Sequence, residues 1–190
     1  MLPLAHTMLS LAVRAHVLSA CARAGSGALL LRPIPEGGAP HPSGFRGRMG
    51  EVLDISLRER WVGADGASST FEWERVGAAC IAAAGGAPRV AIDARGLSVP
   101  LAVGLAVGAV LRAWRFDALK SRPRRPRRIE WLVDDPEAMA RPWAAAEAVL
   151  AGVAFARECV AEPGNRLTTT EFTRRLKALQ QRPKLLREPP

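Results

Sequence analysis

Residues 89–120 read RVAIDARGLSVPLAVGLAVGAVLRAWRFDALK, and this stretch decides the fold class. Arg89–Asp93 is a short β-like run with apolar Val90 and Ile92. Gly96–Leu111 follows without a single charge. Its 16 residues fall short of the ~20 that span a bilayer, and Pro100 interrupts its start. Ser98 can cap a helix with Pro100 in its first turn, which predicts a buried helix over about residues 99–119. Gly104 and Gly108 form a G-x-x-x-G pair; between membrane helices it would mark dimerisation, and here it is expected to let the helix lie close against a sheet. Arg112, Arg115 and Lys120 sit at the negative end of the helix dipole.

Further along, Pro123 and Pro126 end any helix in SRPRRPRR (121–128), and Ile129–Val133 is expected as a strand. Asp135 and Pro136 open the next helix, which Pro142 breaks or kinks; a helix then runs from about Trp143 to Ala161. Thr168 and Glu171 form a capping box for a last helix ending near Gln181. Toward the N-terminus, Ser69 and Glu72 form a capping box, Val76, Cys80 and Ala83 recur at helical spacing, and Gly85-Gly86 stops that helix. Glu51–Ser56 is a candidate short strand. Residues 33–50 are a Pro/Gly-rich loop. Met8–Ala22 is expected as an ordinary first helix and Ala28–Leu31 as a strand. The resulting order, β…β–α–β–α–β–α–α, argues for an α/β fold, a three-layer α/β/α sandwich with a mixed, largely parallel sheet.

The chain has 190 residues, 48% of them hydrophobic and 24% charged, a globular composition. Its net charge of +9 is carried by arginine, with lysine only at positions 120, 177 and 184. There is no Tyr. This bias points to a GC-rich coding sequence before it points to nucleic acid. Cys21, Cys80 and Cys159 form no C-x-x-C pair, which excludes a zinc-knuckle or dithiol reading and fits a reducing compartment. Cys80, on an apolar stripe, is read as packing. The interrupted run Met8–Ala22 does not match a secretory signal.

No G-x-S-x-G elbow, P-loop or H-E-x-x-H is present, and His6, His16 and His41 all lie in the first quarter. Asp93, Asp134 and Asp135 are the only carboxylates placed for metal-assisted hydrolysis. Asp135 is better read as a helix cap and Asp93 as a loop residue, so no catalytic or metal-binding residue is assigned. The arginines of 122–128 (Arg122, Arg124, Arg125, Arg127 and Arg128) form a basic segment able to contact phosphates, without interleaved aromatics for base stacking.

Three segments resemble the leucyl (cytosol) aminopeptidase family. GAVLRAWRFDALK (Gly108–Lys120) is similar to its G-x-x-L-x-x-Y-x-F-D-x-x-K helix: Gly108, Leu111, Phe116, Asp117 and Lys120 match, and Trp114 replaces Tyr. GFRGRMGEVLDI (Gly44–Ile55) resembles F-x-G-K-x-G-E-x-L-x-I, with Arg48 in place of Lys. FARECVAEPGNRLTTTEF (Phe155–Phe172) resembles A-R-x-L-x-N-x-P-x-N-x-L-T-P-x-x-F, matching at Arg157, Pro163, Asn165, Leu167, Thr168 and Phe172, with Ala161 and Thr169 departing. The likeness is weakest over residues 57–70, where the family has an apolar, glycine-bearing strand.

The resemblance implies an unmatched leader (1–40), an N-terminal α/β domain (41–141), a connecting helix with the start of the catalytic domain (142–181), and a tail (182–190). The family's catalytic domain carries two divalent metals (Mn or Zn), held by a Lys, several Asp and a Glu, including an N-T-D-A-E-G-R motif that does not occur here. The expectation is therefore a non-catalytic N-terminal portion of a cytoplasmic metallopeptidase, a fragment inactive alone. Whole family members form hexamers and act on peptides; no membrane association is implied. The alternatives are a nucleic-acid-binding module working through the five arginines, DNA being a substrate of some relatives' binding, or an assembly or regulatory subunit of a full-length aminopeptidase.

Overall fold

The computed structural model describes residues 15–18, 24–25, 27–35, 44–122 and 127–180. A six-stranded sheet runs in the order β1-β6-β5-β2-β4-β3. Its strands are β1 (Ala15–Leu18), β2 (Leu29–Ile34), β3 (Val52–Ser56), β4 (Glu59–Gly63), β5 (Arg89–Asp93) and β6 (Arg128–Leu132). Only β3, hairpinned onto β4, is antiparallel; the other pairings are parallel. The helices are α1 (Thr70–Ala83), α2 (Val99–Ala113), α3 (Pro136–Ala161) and α4 (Thr169–Gln180).

The β4–α1–β5 and β5–α2–β6 crossovers step the same way across the sheet, so right-handed connections put α1 and α2 on one face. Strand alternation sends Leu31, Val62, Val90, Ile92, Ile129 and Trp131 to that face, where they form one core with Trp73, Val76 and Cys80 of α1 and Leu105 and Ala109 of α2. Met139, Trp143 and Leu150 bring α3 into the same core. The fold is thus α/β with a mixed, mostly parallel sheet, as expected. Among the described residues, one helical layer is seen, and no helix covers the opposite sheet face.

Several local expectations are corrected. The G-x-x-x-G pair does not face the sheet; it faces α1. A Cβ at Gly108 would lie 1.8 Å from the Glu74 carbonyl oxygen, and one at Gly77 would lie 2.0 Å from that of Leu105. The two helices therefore touch backbone to backbone. α2 ends at Ala113 and not near residue 119, and Ser98 holds the N-cap position without a side-chain bond. α3 runs unbroken through Pro142. Within the expected first helix, residues 15–18 form β1, an edge strand; the rest of that run lies outside the described residues. The weak stretch 57–70 contains β4, between β2 and β3. Its Gly63 is needed because a Cβ there would sit 1.9 Å from the Arg48 carbonyl oxygen.

The caps follow the sequence. Ser69 Oγ accepts from the Glu72 amide at 3.3 Å, and the Glu72 carboxylate accepts from the Ser69 amide at 2.9 Å. Bonds donated to the carboxylate by the amides of Ser68 and Ser69, and then by their hydroxyls, hold the Glu72 carboxyl at about 2. Asp135 accepts from the Ala138 amide at 2.9 Å.

Candidate functional site

Open α/β sheets place ligand-binding groups beyond the C-terminal ends of their parallel strands, and here that edge carries Asp93, Asp134 and Asp135. Asp93 ends β5 and accepts two bonds from the Arg95 guanidinium, both 2.7 Å, and one from the Arg95 amide at 3.3 Å, while Arg32 stands 3.9 Å away. Burial pushes its carboxyl up, but the Arg95 bonds and charge, aided by Arg32, hold it below the usual range. Asp134 accepts from the Gly96 amide at 2.6 Å, tying the β5–α2 loop to the end of β6. Asp135 is the α3 cap. Each carboxylate is thus committed to a guanidinium or an amide of the fold. Among the described residues, no group of three or more His, Cys, Asp or Glu could hold a metal ion.

On the opposite sheet face, β6 buries Glu130 at 1% exposure. It accepts from the Gly25 amide at 3.1 Å and from Arg89 at 3.2 Å, with Arg128 Nε at 3.4 Å. A charge this buried is tolerated because it is paired and hydrogen-bonded. Sequence reasoning missed it: IEWLV reads as a strand, and nothing in it says which neighbours satisfy the carboxylate.

Of the five arginines, Arg122, Arg127 and Arg128 lie among the described residues, and the last two are engaged within the fold. Arg127 donates to the Ile81 carbonyl at 3.2 Å and to the Gly85 carbonyl. Arg60 donates to the Ala83 carbonyl. α1 has no basic residue in its last turn, so these two side chains answer its orphan carbonyls from other elements. Burial, with the charge of Arg115, holds the Arg127 guanidinium below its ordinary value. Arg128 lies against Glu130, Arg122 is exposed, and Arg124 and Arg125 lie outside the described residues.

A shallow crevice between α2 and α3 is lined by Val110, Leu111, Trp114, Leu150, Val153, Ala154 and Arg157. At the end of α3, Arg175 of α4 bridges Glu162 at 2.5 Å and Glu171 at 2.7 Å. Burial raises the Glu158 carboxyl to about 7, with Arg175 opposing and Glu162 adding to the rise. Cys80 is fully buried, which pushes its thiol to about 12 and makes it inert packing. Among the described residues these side chains act as structural clamps.

No family model matches the chain. Among curated proteins, it is 29% identical over 180 residues to a probable cytosol aminopeptidase of Brucella anthropi, covering 84% of this chain and 35% of that protein. It is 31% identical over 158 residues to a probable cytosol aminopeptidase of Brucella melitensis, covering 73% of this chain and 33% of that one. Among solved structures, the bottromycin maturation enzyme BotP in complex with Mn superposes with a TM-score of 0.63 at 27% identity, over 81% of this chain and 36% of its own. A tomato leucine aminopeptidase mutant superposes with a TM-score of 0.69 over 87% of this chain and 42% of its own; at 22% identity it speaks to the fold alone. The chain spans about a third of the length of the curated relatives it matches. No helix among the described residues is long and apolar enough to cross a membrane.

Proposed function

The chain is a relative of the cytosol (leucyl) aminopeptidases, consistent in sequence and fold with an N-terminal domain of that family, and from that premise we propose that it is a non-catalytic module of a leucyl aminopeptidase-like metallopeptidase. The observation that carries this reading is the commitment of its strand-end carboxylates: Asp93 to Arg95, Asp134 to Gly96, Asp135 to Ala138. Two divalent ions, Mn or Zn, need several carboxylates free to converge on them. The described residues do not fit such a pair, so no hydrolytic step is derived through them. Peptide substrates, the metals and hexamer formation belong, on this reading, to the whole aminopeptidase chain, and the compartment is the cytoplasm. The module supplies the α/β body and the long α3.

Equilibrium dialysis of the purified chain against Mn²⁺ or Zn²⁺ tests this. The expected result is no stoichiometric uptake; retention of two ions per chain would overturn it. Nucleic-acid binding through the arginine segment is a weaker reading, because Arg127 and Arg128 are engaged within the fold.

A further inference from the structure

One guanidinium joins α4 to the end of α3. Arg175 of α4 donates to Glu162, the C-cap of α3, at 2.5 Å and to Glu171, in the first turn of α4, at 2.7 Å. The Arg175 side chain is 10% exposed and that of Glu162 6%, so this pair is desolvated and depends on holding its geometry. Arg174 shares Glu171, also at 2.7 Å. Glu158 lies one turn before Glu162 on α3, which puts the two carboxyls on one face. It is half-buried, and the charged groups that act on it are Arg175 from α4 and Glu162 from its own helix. The Cys159 thiol adjoins the same cluster.

While Glu158 is protonated, the guanidiniums of Arg174 and Arg175 balance the carboxylates of Glu162 and Glu171. Ionised Glu158 adds a third carboxylate beside Glu162, and Arg175 is already committed twice. We infer that α4 is a pH-operated latch on α3: it is seated while Glu158 is protonated and released when Glu158 ionises and takes up water. Burial raises the Glu158 carboxyl from 4.5 to about 7, with Arg175 opposing and Glu162 adding to the rise. A seated α4 therefore binds the proton more tightly than a released one, whose Glu158 is solvated. This contribution to seating is fully present below 4.5 and is lost as pH rises through about 7. Release redirects α4 while leaving the α1–α2 core packed. Glu158, Glu162 and Arg175 lie off the positions that carry the family resemblance, so the latch does not rest on the family reading.

Amide hydrogen exchange of the 190-residue chain at about pH 5.5 and about pH 8.5, each rate divided by its intrinsic rate at that pH, tests the latch. Protection of the α4 amides should fall by about three- to thirty-fold between the two; the upper figure is the full shift, the lower what solvent screening of a half-buried group leaves. Glu158→Gln should keep the low-pH protection at high pH. Glu162→Gln, which removes the partner of Arg175 on α3, should lower α4 protection at the low pH. The α1 amides should stay better protected than those of α4 throughout, which marks a local opening. Wild-type α4 protection that does not change with pH would overturn the latch, as would a fall that persists in Glu158→Gln. So would indifference to Glu162→Gln, or α4 amides that exchange no faster than those of α1, which would make the opening global.

Discussion

The Arg157 guanidinium lies 5.6 Å from the Trp114 ring centroid and donates to the Leu111 carbonyl at 2.8 Å. Two segments that carry the family resemblance, far apart in sequence, are thereby joined in space. The contact also ends α2: Leu111 has an orphan carbonyl, and Trp114 leaves the helical conformation as its C-cap. Arg157→Ala removes a stacked cation and a charge-assisted bond, and should cost about 1–3 kcal/mol. Arg157→Lys should recover only part of this, since an ammonium stacks less well. Chemical denaturation of the three proteins checks the ranking.

Glu130 tests the sheet face opposite α1 and α2. With the carboxylate gone, Arg89 and Arg128 lose their common partner and the Gly25 amide its acceptor. Glu130→Ala should cost about 3 kcal/mol, read as a lowered urea midpoint. Glu130→Gln should be milder, because the amide oxygen can still accept from Gly25.

The α1–α2 contact makes a sharper prediction. Gly108→Ala places a methyl group 1.8 Å from the Glu74 carbonyl oxygen, so the helices must separate. A loss of about 1–3 kcal/mol or more is expected, although Ala is the better helix former. Gly152→Ala, which meets nothing within 4 Å, should stabilise by up to about 1 kcal/mol. Thermal melts of the two variants should therefore move in opposite directions.

Stability should fall with pH through Glu158. Its carboxyl is raised to about 7 in the fold from an ordinary value of 4.5, so the folded chain binds the proton more tightly than the unfolded one. The contribution is fully present below 4.5 and is lost as pH rises through about 7. Glu158 is about half-buried, so solvent screening reduces the effect. The melting midpoint should drop between pH 5 and pH 8, and Glu158→Gln should flatten that part of the profile.

Much of the fold was legible because caps and turns are local chemistry. Ser69–Glu72, Asp135-Pro136 and Thr168–Glu171 mark helix starts through bonds made within one turn. Features that depend on distant partners were not. β4 is only five residues long, and Gly63 answers to the Arg48 carbonyl, which sequence does not place beside it. The G-x-x-x-G pair announces a close neighbour without saying that α1 supplies it. The end of α2 is fixed by Arg157, 46 residues after Leu111, whereas the first proline breaker in the sequence is Pro123. The five arginines look alike in sequence, yet Arg127 serves α1 and Arg128 serves Glu130.

Hydrolysis of a leucyl anilide by the purified 190-residue chain, with Mn²⁺ or Zn²⁺ added, tests the central claim most directly. No turnover above the metal-only background is predicted. Metal-dependent release of the anilide chromophore, abolished by chelator and proportional to protein, would contradict the account.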